Sequence, residues 1–167
     1  MITGEATRER EEIQTLKRFI ENLGEEFIPE LAIQDRSIIK EPCDVSYKGI
    51  EYQITYGNRK LLGDIRKTTS VRSKENPNVS ESFCGIIGHP SLVGYAKKVI
   101  ETALEDKKDK SDGKMTLLIE PAYTSYGLFH EKGEVVFKKY FKDNEQRLGG
   151  LWQSIFIVFL GGNIKLR

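Results

Sequence analysis

Residues 42–53, Pro-Cys-Asp-Val-Ser-Tyr-Lys-Gly-Ile-Glu-Tyr-Gln, hold Asp44, Glu51 and Gln53 at a spacing that a tight hairpin brings onto one face. Lys48-Gly49 fits a two-residue turn, because glycine readily takes the positive φ of a primed turn and apolar alternation flanks the pair. Such a turn sets Tyr47 opposite Ile50, Ser46 opposite Glu51, Val45 opposite Tyr52 and Asp44 opposite Gln53, and opposed residues share a face. One face then carries Asp44, Ser46, Glu51, Gln53 and Thr55, and the other Val45, Tyr47, Ile50, Tyr52 and Ile54. Two carboxylates on one face, within reach of a single small cation, are a site for a hard divalent metal. A hairpin with one buried and one wet face shows the same alternation without any site. The elements around it therefore decide.

Ile13, Leu16, Phe19, Ile20 and Leu23 recur at helical spacing, which predicts a helix from about Glu5 to Leu23, with Gly24 as its stop. Glu9 lies four residues before Ile13 and Glu12 four before Leu16, so both acids sit at the N-terminal edge of the buried stripe. A strand is expected over 26–33, interrupted by Pro29, and a short strand over 37–40 ahead of the hairpin. A second helix is expected from Pro90 to about Leu104, with His89 or Ser91 near its start. Met115 to Ile119, short and apolar, reads as a buried strand. Glu134 to Phe141, entered through a turn at 131–133, reads as another. Residues 152–160 fit helix or strand, and the run from Leu151 to Leu160 is core in either case, with a dimer interface as the lesser alternative. The order helix, strand, hairpin, helix, strand points to an α/β or α+β core in which helices cover a mixed sheet. In such a core the polar hairpin face lines a cleft beneath a helix.

The chain has 167 residues with a net charge of +1, which fits one domain and excludes a global field drawing it to nucleic acid or to anionic membrane. Any basic surface is local. Residues 57–82 show little periodicity and read as a long loop, with a short helical turn around 61–65. Over 57–75, Arg59, Lys60, Arg66, Lys67, Arg72 and Lys74 face only Asp64 and Glu75, with Thr68, Thr69 and Ser70 among them. That composition suits contact with phosphates, and a solvated linker accounts for it equally well. Cys43 and Cys84 form no Cys-x-x-Cys pair, and His89 and His130 accompany no Cys or Ser motif, so zinc, redox and triad chemistry are not indicated. The glycines match neither the dinucleotide fingerprint nor the phosphate loop. The N-terminus is polar and charged where a secretory signal is apolar, and no apolar run approaches the roughly 20 residues of a membrane span. A cytoplasmic protein with no membrane partner is the expectation.

Over roughly residues 5–120 the chain resembles the PD-(D/E)xK nuclease superfamily, which has the restriction-endonuclease-like fold. In that family a helix bearing a glutamate precedes a hairpin in which an Asp, often after Pro, is followed by Glu-x-Lys, and a helix and a strand come next. Here Pro42-Cys43-Asp44 supplies the aspartate with one residue inserted, Glu51-Tyr52-Gln53 supplies a Glu-x-Gln variant, and Glu9 or Glu12 supplies the helix acid. The resemblance implies a metal-dependent endonuclease that hydrolyses DNA phosphodiester bonds, of restriction, homing or repair type. It further implies Asp44, Glu51 and the main-chain carbonyl of Tyr52 as metal ligands, with Glu9 or Glu12 reaching the metal through water or serving a second ion. The all-oxygen set selects Mg2+, with Mn2+ as a substitute. Gln53 departs from the pattern: an amide only hydrogen-bonds the attacking water, whereas a lysine also counters charge. Arg59 or Lys60 is a candidate for that charge. Cutting both strands calls for two sites and hence a homodimer. The alternative is a catalytically inactive module of the same fold that binds nucleic acid or protein.

Overall fold

The computed structural model describes residues 4–57, 92–121, 130–148 and 150–167. Helix α1 (Gly4–Asn22) buries Leu16, Phe19 and Ile20 on one stripe, as the spacing predicts. A 3-10 turn (Pro29–Leu31) then leads into a two-residue strand, β1 (Ala32–Ile33). The strand expected over 26–33 is thus cut to its last two residues. Pro29 has no N–H for a ladder and opens the turn instead. Residues 37–40 are a turn and not a strand. Asp35 captures that segment: its carboxylate accepts the Ser37 N–H at 2.9 Å and hydroxyl at 2.7 Å, and its carbonyl accepts the N–H groups of Ile38 and Ile39.

Strands β2 (Val45–Tyr47) and β3 (Ile50–Gly57) form the expected hairpin, pairing Tyr47 with Ile50, Ser46 with Glu51 and Val45 with Tyr52. Lys48 and Gly49 have φ of 50° and 80°, so both central residues are left-handed, as a primed turn requires. Helix α2 (Leu92–Lys107) returns the chain to β4 (Thr116–Pro121), which lies parallel to β3. Helix α3 (His130–Leu148) leads to β5 (Ser154–Phe159), parallel to β4, and β6 (Gly162–Lys165) closes the sheet antiparallel to β5. Among the described residues the six strands lie in the order β1-β2-β3-β4-β5-β6.

The sheet is the middle of three layers. On one face, Val45, Tyr47, Tyr52, Ile54, Leu118 and Val158 pack against Leu16, Phe19 and Ile20 of α1. On the other, Leu117, Ile119, Ile155, Ile157 and Phe159 pack against Tyr95, Val99, Ile100 and Ala103 of α2 and Phe137 and Phe141 of α3. Gln53 and Thr55 lie level with Leu117 and Ile119, on the α2 face. Crossing of β3 and α2 is close: a Cβ on Gly57 would stand 2.8 Å from Val99 Cγ1 and 3.2 Å from the Val99 carbonyl oxygen.

The strand expected over 134–141 and the turn expected over 131–133 are both interior to α3. Val-Val-Phe and Tyr-Phe read locally as strand, yet Phe137, Phe141 and Leu148 are buried at intervals that suit a helix, while Val135 is 66% exposed. Ion pairs Glu134–Lys138 and Lys139–Asp143, each one helical turn apart, support the same choice. Beyond the stretch that carries the resemblance, the described part of residues 121–167 supplies a helix and two strands to the same layers. Among the described residues no helix is long and apolar enough to cross a membrane.

Candidate functional site

Beyond Tyr52, β3 outruns its short partner β2, and Asp44 fills the gap. Its N–H donates to the Tyr52 carbonyl at 2.9 Å, while its carboxylate Oδ2 accepts the Ile54 N–H at 2.8 Å and the Gln53 Nε2 at 2.7 Å. Asp44 and Gln53 are almost wholly buried. A carboxylate taken out of water is tolerated only when hydrogen-bonded and countered by charge. The counter-charge here is the Arg8 guanidinium of α1, 3.7 Å from Asp44 Oδ1.

Arg8 also donates from Nε to Glu12 Oε1 at 2.9 Å, one helical turn along. Glu12 is 2% exposed, and its other oxygen, Oε2, is buried without a hydrogen-bond partner among the described residues. Burial raises the Glu12 carboxyl above the ordinary glutamate range, the Asp44 charge pushes the same way, and Arg8 opposes both. Gln53 Oε1 is likewise buried without a partner among the described residues. Two acceptor oxygens without donors, beside a buried carboxylate, make a cation-seeking arrangement.

From the opposite layer, the last residue of α2, Lys107, points back toward the same acids and is 8% exposed. Burial lowers its ammonium from the ordinary lysine range, and the Asp44 charge counteracts that loss. Lys107, Arg8, Thr55, Tyr56, Ile54, Thr102 and Asp106 line an open cleft of about 300 Å³ at this point.

No protein-family model, curated protein or solved structure matches this chain.

Of the residues that sequence singles out, the fold therefore brings together Asp44, Gln53 and Glu12. Glu51 is exposed on the hairpin opposite Ser46, and its charge, after burial, helps raise the neighbouring Cys43 thiol to about 11. The Tyr52 carbonyl holds the Asp44 N–H, and the Tyr52 phenol, turned into the α1 core, is pushed by burial to about 12. Glu9 is half-buried, and its main-chain carbonyl accepts Gln34 Nε2 at 3.0 Å. Arg59, Lys60, Arg66, Lys67, Arg72 and Lys74 lie outside the described residues.

Two members of the cluster escape a motif search. Arg8 stands four residues before Glu12, a spacing that signals a helical ion pair. Lys107 continues the stripe of Val99, Ile100, Ala103 and Leu104, and a lysine on an otherwise apolar stripe is the signal that could have found it.

Among the described residues, no three His, Cys, Asp or Glu side chains gather into a metal-binding group. The donor set is two carboxylates and an amide oxygen. Mg2+ is commonly held by one or two carboxylates while it keeps several waters, so this set fits a hard divalent ion and not a thiolate- or imidazole-seeking one. Asp44, Glu12 and Gln53 are the residues that would hold it.

Proposed function

We propose that the protein is a divalent-metal-dependent endonuclease that hydrolyses DNA phosphodiester bonds at the Asp44–Gln53–Glu12 centre. The observation that carries this reading is the pair of buried, donorless oxygens, Glu12 Oε2 and Gln53 Oε1, beside the Asp44 carboxylate at the open end of the hairpin. The order α1, β1, β2, β3, α2, β4, with the hairpin antiparallel and β4 parallel to β3, agrees with the element order of the PD-(D/E)xK resemblance. Finer membership of the restriction-endonuclease-like fold belongs to the same proposal.

In hydrolysis, water adds to phosphorus, the bond to one sugar oxygen breaks, and the water's proton ends on that leaving oxygen. A divalent ion held at the centre would offset phosphate charge and lower the pKa of a bound water. Asp44 is already locked by two hydrogen bonds, so it would orient its ligands with little reorganisation. Gln53, its nitrogen committed to Asp44, offers only an acceptor oxygen to a water or ion. Glu12, raised toward protonation, becomes a full carboxylate more readily once a cation lies beside it. Glu51, exposed on the hairpin, would serve as an outer ligand. Two sites in a homodimer would serve the two strands.

One observation favours the alternative, a nuclease-fold module that binds nucleic acid or protein without cutting: Arg8 already pairs with both acids. A cleavage assay decides. Supercoiled plasmid is incubated with Mg2+, Mn2+ or EDTA and with native or Asp44→Asn protein. Metal-dependent nicking that disappears in the variant is the expected result. Intact plasmid together with no Mn2+ binding by calorimetry overturns the proposal.

A further inference from the structure

Burying an ammonium group costs several kcal/mol unless it is paired. Yet Lys107, 8% exposed, has no hydrogen bond or ion pair among the described residues. Its stripe neighbours Ala103 and Leu104 are apolar, and a Met or Leu there would fill the same space at lower cost. Helix-dipole stabilisation does not explain the choice, since Lys108 and Lys110, exposed just beyond the helix end, supply cations at that terminus. What distinguishes Lys107 is its outlook. It lines the cleft beside Thr55 and Thr102, and the Asp44 charge bears on it.

Charge bookkeeping at the centre points the same way. Arg8 is committed to Glu12 and Asp44, and Gln53 is neutral. Arg8 keeps about half of its side chain exposed, so among the described residues that line the cleft Lys107 is the buried cation. Among the described residues that line the cleft, the unpaired Lys107 ammonium and the Arg8 guanidinium stand with Thr55 and Thr102 against one exposed acid, Asp106, a balance that favours an anion, and the Asp44 and Glu12 charges both bear on Lys107.

We propose that Lys107 is a catalytic residue of this centre: its ammonium contacts the scissile phosphate in the cleft lined by Thr55 and Thr102. The proposal rests on the nuclease reading and deepens it. It assigns the positive charge that Gln53 lacks to the end of α2. A positive group held in place before the reaction stabilises charge that builds on the phosphate oxygens and needs no rearrangement then.

The test compares Lys107→Met, close in length and uncharged, and Lys107→Arg with native protein and Asp44→Asn. Plasmid nicking with Mg2+, binding of a labelled short duplex in Ca2+, Mn2+ affinity by calorimetry and thermal melting are measured. Lys107→Met is expected to melt no lower than native protein, to nick on the order of a hundredfold more slowly and to bind the duplex more weakly. It should also bind Mn2+ more tightly, because a cation next to the metal site is gone. Lys107→Arg should recover part of the duplex binding and of the rate. Native-like nicking and native-like Mn2+ affinity in Lys107→Met, while Asp44→Asn is dead, overturns the assignment and leaves the nuclease reading standing. A native protein that neither nicks nor binds Mn2+ removes both.

Discussion

Gln53 donates its amide nitrogen to Asp44 at 2.7 Å, and this leaves its amide oxygen, which is buried and has no donor among the described residues. The same Asp44 oxygen caps the Ile54 N–H, so the carboxylate is both a functional candidate and part of the sheet edge. Asp44→Ala should therefore unfold more easily than native protein, because it strands two buried donors at about 1–3 kcal/mol each. Asp44→Asn keeps an acceptor and should lose clearly less. Urea unfolding of the two variants separates these roles. Equal stabilities would mean that Asp44 does not hold the edge, and Asp44→Asn is the cleaner probe of chemistry.

Gly49 and Gly57 are both needed, for different reasons. Gly49 has φ of 80° with open space around its Cβ position, so Gly49→Ala costs about 1–2 kcal/mol from backbone strain alone. Gly49→Asn should lose less than half of that, since Asn tolerates the left-handed region. Thermal melts of the two variants test the turn. If both lose the same amount, crowding and not φ governs the position.

At Gly57 the backbone is ordinary and the obstacle is Val99. Gly57→Ala should cost about 1–3 kcal/mol through overpacking. Adding Val99→Ala removes the Cγ1 contact but leaves the carbonyl at 3.2 Å, so a double-mutant cycle should show partial rescue. Strictly additive losses would contradict the close crossing of β3 and α2, and with it the route by which Lys107 reaches the centre.

Short-range signals made the turn and three of the four expected hairpin pairs readable from period-two alternation around Lys48-Gly49, whereas Asp44 leaves the ladder, gives its N–H to the Tyr52 carbonyl and meets Gln53 through its side chain. The stripe of α1 and the layered α/β class follow from periodicity in the same way. Residues 134–141 were opaque because β-branched and aromatic residues satisfy strand preference over a short window, while burial of Phe137, Phe141 and Leu148 emerges only over a longer one. At 37–40 the competing signal was Asp35, whose side chain diverts the backbone into a turn. Within the site, Glu12 could be separated from Glu9 only by the rotation of α1 against the sheet edge. Lys107 was invisible to motif reasoning because it arrives from another layer, 54 positions after Gln53 in the chain.

Glu12 carries the pH dependence of the centre. Its carboxyl is raised in the folded protein, chiefly by burial and then by Asp44, so the native state binds a proton that the unfolded chain releases near 4.5. Stability from this group is therefore present below the unfolded value and lost as pH rises through the folded one. Glu12→Gln removes that loss. In metal-free buffer, the stability of the variant relative to native protein should improve between about pH 4 and pH 7, measured by urea unfolding across the range. A constant difference would show that Glu12 titrates normally. Adding Mg2+ at neutral pH should stabilise native protein by mass action and leave Glu12→Gln nearly unmoved, because the ion that relieves the repulsion with Asp44 is held by the carboxylate that causes it. Equal stabilisation of the two proteins would place the ion elsewhere.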